Sequence, residues 1–441
     1  MGVRHGGLFT GSVLTRHKGY FAFILIFGLI VGLPFSLLQV SHAAHTVGYE
    51  VWVLDQSDTS AEGGGTLYIY HGSSFGGKGY KGTPEVINLA DSASGIGDGV
   101  GKRPHMIFFN SEQSHSIIAN VSTGHIYIMD ADTREILSNI RMGKDGDQMR
   151  GAHAAVPAPD SSMLIVTNHK KLERMHTDYA NNEYSYNPDD ALNLADLEDE
   201  THPDNWIVCP LFTEDSRFVF TTVRGGGLYV IDVKSTPMKI VASFDNDQVK
   251  PNGCGGVIDN KESRMYINSG GGTANHPLGS DVYVFELSGL SADPPTVSEP
   301  QNILSREGFV DSHGMLLTKN DKYLWTTDRA ANLIEVIDVR TDEVVNQIDL
   351  TKGSADLDPA PDLIFASPHR NVAFAALRGP SPLTANAPDV NNAVGNSPGV
   401  AVIKMSSHGK TGNLLYIIPI SNVVDGKETA DPHGIAVREL A

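Results

Sequence analysis

Four histidines, one cysteine and one aspartate recur at one place in a repeated pattern, and imidazole, thiolate and carboxylate are the side chains that hold transition metals. Counting back five residues from the first residue of a polar turn gives His105 before Asn110, His153 before Ala158, Cys254 before Asp259, His313 before Thr318 and Asp362 before Ser367. His433 holds the corresponding place near the C-terminus, and Val208, five before Thr213, is the one apolar occupant. Successive residues of a strand alternate faces, so equal spacing gives equal direction. If the repeats close into a ring, these side chains meet around a central channel at one depth. Six groups cannot all reach one ion, so a subset is expected: His433, His105 and His153 from consecutive repeats as the primary site. His313 then joins from across the channel, with Asp362 as a ligand or as the acceptor that orients an imidazole. Copper or zinc is the expected metal. A single histidine here can equally serve as a hydrogen-bonding residue around a water-filled channel. The case for chemistry rests on the recurrence.

The elements that must position these residues are short strands. Tyr127-Ile128-Met129-Asp130 leads to Glu135-Ile136-Leu137, Tyr229-Val230-Ile231-Asp232 to Lys239-Ile240-Val241, and Glu335-Val336-Ile337-Asp338 to Glu343-Val344-Val345. Each apolar run is brief and bounded by Asp, Thr, Ser and Gly, the pattern of antiparallel strands joined by turns. A further strand pair precedes each, giving four strands per unit and the signature of a propeller blade. Inner strands begin near Arg103, Arg150, Asn205, Pro251, Asp311, Pro359 and Asp431, so the chain is read as an all-β, seven-bladed β-propeller. The last unit is only Asp431 to Val437, whereas Tyr49-Glu50-Val51-Trp52-Val53-Leu54 resembles a second strand without a first. The two ends therefore complete one blade and close the ring, leaving no open sheet edge.

Phrases such as Asp431-Pro432-His433-Gly434-Ile435-Ala436-Val437, Ala158-Pro159-Asp160-Ser161-Ser162, Arg224-Gly225-Gly226-Gly227-Leu228-Tyr229-Val230-Ile231-Asp232 and Asn332-Leu333-Ile334-Glu335-Val336-Ile337-Asp338 resemble the bacterial YVTN (YncE-like) seven-bladed propellers. The resemblance implies architecture and not chemistry. The wider group includes the propeller of nitrous oxide reductase, with its histidine-bound copper cluster, and the selenium-binding-protein family. This chain matches neither at the level of motifs.

Charge and the N-terminus narrow the setting. Arg4, Arg16 and Lys18 precede an apolar run of 21 residues from Tyr20 to Val40, then Ser41-His42-Ala43-Ala44. This reads as a secretory signal over residues 1–43 with the propeller in 44–441, and hence a periplasmic or extracellular protein. The run is also long enough to cross a bilayer of about 30 Å, so an uncleaved anchor is the one route to a membrane. The chain has a net charge of −19; residues 1–43 hold three basic and no acidic residues, which leaves −22 for the rest. Such acidity repels phosphate backbones and excludes nucleic acid as a partner. Two insertions, Asn181 to Asn205 and Gly379 to Pro398, are expected as rim loops, the first acidic and solvated, the second placed to cover one end of the channel.

The two cysteines leave two alternatives open: a disulfide on neighbouring inner strands, or free thiols. One residue of offset from the ring position should turn Cys209 to the face opposite Cys254. The two Gly-x-Ser-x-Gly strings, Gly72 to Gly76 and Gly395 to Gly399, lead into no helical run that would make a nucleophile elbow, and no His-Glu-x-x-His phrase occurs, so hydrolase and zincin chemistry have no support. Two functions from different classes follow. One is an exported metal-binding propeller, either an oxidoreductase or a metal carrier, with a metal or small molecule in its channel. The other is a non-catalytic propeller whose rim loops engage a protein or envelope partner.

Overall fold

A computed structural model describes residues 48–57, 64–97, 99–144, 151–270 and 279–440. The expected signal over residues 1–43 lies outside the described residues. Seven antiparallel sheets follow one another, six of four strands and one with a fifth short strand, each joined to the next by a connection from outer to inner strand. This is the seven-bladed propeller expected from the repeats. Its inner strands are Pro104–Phe109, Ala155–Pro157, Ile207–Phe212, Gly256–Ile258, Ser312–Leu317, Pro361–Ala366 and Pro432–Glu439.

Ring closure follows the expected plan. Pro432–Glu439 is the inner strand of a sheet whose other strands, Tyr49–Asp55, Thr66–His71 and Glu85–Asn88, come from the opposite end of the sequence. Val51 faces Val437 and Val53 faces Ile435 across this antiparallel seam. Both sides alternate apolar and small residues, so the register that buries one face also fixes the other.

The cores lie between successive sheets. Trp325 and Ile348 of one blade pack with Ala373 and Ile403 of the next, and Trp52 of the closing blade packs with Ile107, Ile118 and Tyr127 of the blade that follows it. Each such side chain is fully buried or nearly so, and each of the isoleucines contributes roughly 1.5–3 kcal/mol. The Trp325 indole N–H donates to the Gly409 carbonyl at 2.6 Å, so its burial leaves no polar group stranded.

The insertions depart from simple loops. Glu183–Tyr186, inside the acidic insertion, is the fourth strand of its blade, pairing with Lys171–Asp178. Its alternation of Glu and Ser with two tyrosines suits a sheet edge exposed on one face, a pattern hidden by the surrounding acidic residues. The Gly379–Pro398 segment does cover one end of the channel: the Leu383 N–H donates to Asp431, the Thr384 hydroxyl to Gln56 and the Asn392 amide to Asp311.

Candidate metal centre in the channel

The ring residues occupy a recurring irregularity in the inner strands. Pairing with the neighbouring strand slips between Pro104 and Met106, between Ile207 and Pro210, between Ser312 and Met315, and between Pro361 and Ile364. At the closing seam the same slip falls opposite Pro432 to Ile435. A bulge re-aims the side chain it carries, here toward the channel axis. His153 and Cys254 instead lie just ahead of their short inner strands. Glycine after histidine has its own reason. A Cβ at Gly314 would lie 2.5 Å from the Asp362 carbonyl oxygen, and one at Gly434 would lie 2.6 Å from that of His105. The missing side chain lets the next blade's backbone approach, which brings neighbouring ring residues together.

The potential donors fall into two groups. In the first, His313 Nε2 lies 3.0 Å and His433 Nε2 3.7 Å from Asp362 Oδ1. All three atoms are buried, and none has a hydrogen-bond partner of acceptable geometry. His433 Nδ1 meets the His105 carbonyl at 2.9 Å, so it carries the proton and Nε2 presents a lone pair to the carboxylate. A lone pair facing a carboxylate oxygen calls for a cation between them. In the second group, His153 stands with Cys209 and Cys254, all three donor atoms within 4.8 Å of one another. Here the two cysteines form a disulfide, with Cα atoms 4.9 Å apart. The slip between Ile207 and Pro210 breaks strict alternation, which is how Cys209 turns toward Cys254 despite its one-residue offset. Disulfide-bonded, Cys254 presents no thiolate to the ring.

His105 links the groups and belongs to neither. Its ring stacks on His433 at 3.7 Å between centroids, and its Nε2 meets His153 Nε2 at 3.1 Å. Its Nδ1 faces Gln56 Oε1 at 2.9 Å, and the Gln56 amide donates to Asp431 at 3.1 Å. This order makes Nδ1 the donor of His105 and leaves Nε2 to accept from His153. The expected trio of His433, His105 and His153 is thus contiguous through ring contacts, while the converging donor atoms of His433 are those of His313 and Asp362.

Two buried arginines hold the carboxylates. Arg378 donates to Asp362 Oδ2 at 2.7 Å and to Asp431 at 2.7 and 2.9 Å. Arg329 pairs with Asp311 at 2.6 Å and lies 3.6 Å from Asp362 Oδ2. Three carboxylates, Asp311, Asp362 and Asp431, thus share two guanidiniums. Both arginines engage Oδ2, so Oδ1 of Asp362 is left for the imidazoles. Residue spacing did not reveal these partners, although a signal was present. Asp311 and Asp431 each precede a ring histidine by two residues, and Arg329 and Arg378 each directly follow the second strand of their blades.

Burial controls the protonation of this cluster. It pushes His105 and His313 well below the ordinary histidine value, His153 down to about 3 and His433 down to about 4, with neighbouring imidazoles and guanidiniums adding to the effect. Burial would raise the Asp362 carboxyl, but His313, His433, Arg329 and Arg378 outweigh it and hold it well below the usual carboxylate range. Neutral imidazoles beside an ionised carboxylate are the protonation states a metal requires. The depressed histidine value also has a sign for stability. Between pH 6.5 and about 4 the unfolded chain binds a proton at residue 433 that the folded chain does not, so folding weakens as pH falls through that window. Asp55 and Asp328, pushed up to about 6 by burial, act in the opposite direction. Comparison with His433→Asn isolates the histidine: denaturant titrations of the metal-free proteins should show wild type losing more stability than the variant between pH 6.5 and 4. Parallel profiles would contradict this.

No protein-family model matches the chain, and no curated protein sequence does. Solved structures resemble it at low identity. A structural-genomics target from Lactobacillus plantarum aligns over 89% of this chain and 100% of its own, with 10% identity and a TM-score of 0.61. The periplasmic gluconolactonase PpgL of Pseudomonas aeruginosa aligns over 89% and 100%, with 12% identity and a TM-score of 0.57. The β-propeller domain of Cps50 (Swd1) from Myceliophteria thermophila aligns over 71% and 87%, with 11% identity and a TM-score of 0.51. These likenesses are of fold.

Proposed function

We propose that His313, Asp362 and His433 hold one divalent transition metal, zinc in preference to copper, and that the protein is an exported metal carrier. One observation supports this above the others: three buried, otherwise unpartnered donor atoms converge. On a tetrahedral zinc with bonds near 2.0–2.1 Å, nitrogen and oxygen donors stand about 3.3 Å apart. The spacings to Asp362 Oδ1 here, 3.0 and 3.7 Å, bracket that value. Two imidazoles and a carboxylate form a borderline-hard set suited to zinc, and the disulfide withholds the soft thiolates that favour copper(I).

Carrier is preferred to oxidoreductase because the donors are fully enclosed. His433 and Asp362 are wholly buried, and Leu383 and Thr384 of the covering segment sit on their supporting residues. A substrate would have to displace that segment to reach the ion. The disulfide and the apolar N-terminal run both fit an oxidising compartment outside the cytoplasm. Fold likeness to a gluconolactonase does not bring its substrate with it. Protein purified without an affinity tag, offered zinc or copper and then gel-filtered, is expected to retain one zinc per chain by elemental analysis. His433→Ala should retain none. Failure to retain either metal in wild type would end the proposal.

A further inference from the structure

Beyond the histidine cluster, the channel opens into a cavity of about 970 Å³ with mixed polar and apolar walls, and Cys209 and Cys254 are among the residues that line it. Met106, Ala154, Met315 and Leu363 surround the disulfide, and the cavity runs out to Asn260, Lys319 and Glu439, which are exposed at the far rim. The disulfide, with Cys209 and Cys254 only 4% and 6% exposed, thus lines a cavity that reaches the surface on the side opposite the covering segment. His153, itself part-exposed, directs Nδ1 at Cys209 Sγ from 3.8 Å. Nitrogen and sulfur ligands on one tetrahedral zinc stand about 3.5 Å apart, from bonds of about 2.0 and 2.3 Å. The imidazole is thus already within a few tenths of an ångström of a ligand's place. Its other nitrogen is held by His105, which Gln56 and Asp431 orient in turn, the supporting arrangement a ligating histidine needs.

From this geometry we infer a second metal site, made of His153, Cys209 and Cys254, that is closed by the disulfide and opened by reduction. A small dithiol entering the cavity supplies the electrons. Its two sulfurs join in a disulfide, the Cys209–Cys254 bond breaks, and its two protons pass to the cysteine sulfurs. The sulfurs then separate from bonding distance to about 3.8 Å, the spacing of two thiolates on one zinc. A soft or borderline cation, zinc or copper(I), binds and displaces both thiol protons to solvent. The site shares no ligand with the His313, Asp362 and His433 cluster, although His105 touches both His153 and His433.

Cobalt(II) serves as the probe, because thiolate ligation gives it an intense near-ultraviolet charge-transfer band that imidazole and carboxylate do not. Metal-free wild-type protein is reduced with dithiothreitol, desalted without oxygen, checked by circular dichroism and titrated beside the oxidised protein. Reduction is expected to add one cobalt per chain and the charge-transfer band. His153→Ala should weaken that added binding at least 10-fold, and the double variant Cys209→Ser, Cys254→Ser should lose it. Asp362→Asn should leave the increment intact while removing cobalt from the oxidised protein, so the two sites are read separately. An unchanged stoichiometry on reduction, an added cobalt without the band, or a band that persists in the double serine variant would each overturn the inference.

Discussion

Replacing Arg378 by methionine is expected to destabilise the propeller by about 3–5 kcal/mol, the cost of removing one partner from a buried ion pair. The side chain is fully buried, bonded to Asp431 through two nitrogens, to Asp362 through a third contact and to the Thr384 carbonyl at 2.7 Å. Methionine fills much of the volume but leaves Asp431 and Asp362 without this counter-charge in a dry interior. The remaining donors to Asp431, the Gln56 amide and the Leu383 N–H, are neutral. Urea denaturation of both proteins at neutral pH measures the difference, and a loss below about 1 kcal/mol would show that the carboxylates are compensated elsewhere. Adding Asp431→Asn to Arg378→Met should restore part of the stability, because it removes one of the stranded charges.

Asp362→Asn is expected to lower zinc affinity by more than about 100-fold, since changes at residues that merely support metal ligands already cost 10–100-fold. The substitution keeps the side chain's size and leaves Arg378 tied to Asp431, so the metal-free variant should remain folded. Zinc at about 100 times its dissociation constant should stabilise wild type by about 2.7 kcal/mol. The variant should gain almost nothing under the same conditions. Denaturant midpoints with and without zinc provide the readout. Equal zinc-induced shifts in the two proteins would remove Asp362 from the ligand set.

Much of this arrangement was legible in the sequence, because a repeat states its strand order seven times over. The complementary ends, Tyr49 to Leu54 and Asp431 to Val437, announced ring closure, and the offset from each polar turn located His105, His153, His313, Asp362 and His433 at the channel. Spacing alone could not show which donor atoms converge. That depends on the bulges at Ser312 to Met315 and Pro361 to Ile364, and on His433 turning one nitrogen to the backbone of the next blade. Period-two alternation also misplaced Cys209, because one slipped residue reverses a side chain's direction. Arg329 and Arg378 each directly follow a strand, a place where an arginine is ordinarily exposed. The structure buries both in ion pairs with Asp311, Asp362 and Asp431 instead. An arginine's partner in a neighbouring blade lies dozens of residues away, and no local pattern marks it.

The seam formed by the two chain ends has a consequence for the order of events in the cell. His433 lies on the strand that closes the ring, while His313 and Asp362 come from the two blades before it. That histidine reaches its place only when its strand docks against Tyr49–Asp55, made hundreds of residues earlier. A chain ending before Pro432 would keep six blades, His313 and Asp362 but would lack His433. With the proposed ligand set, metal retention would therefore report that the first and last strands of the ring have met.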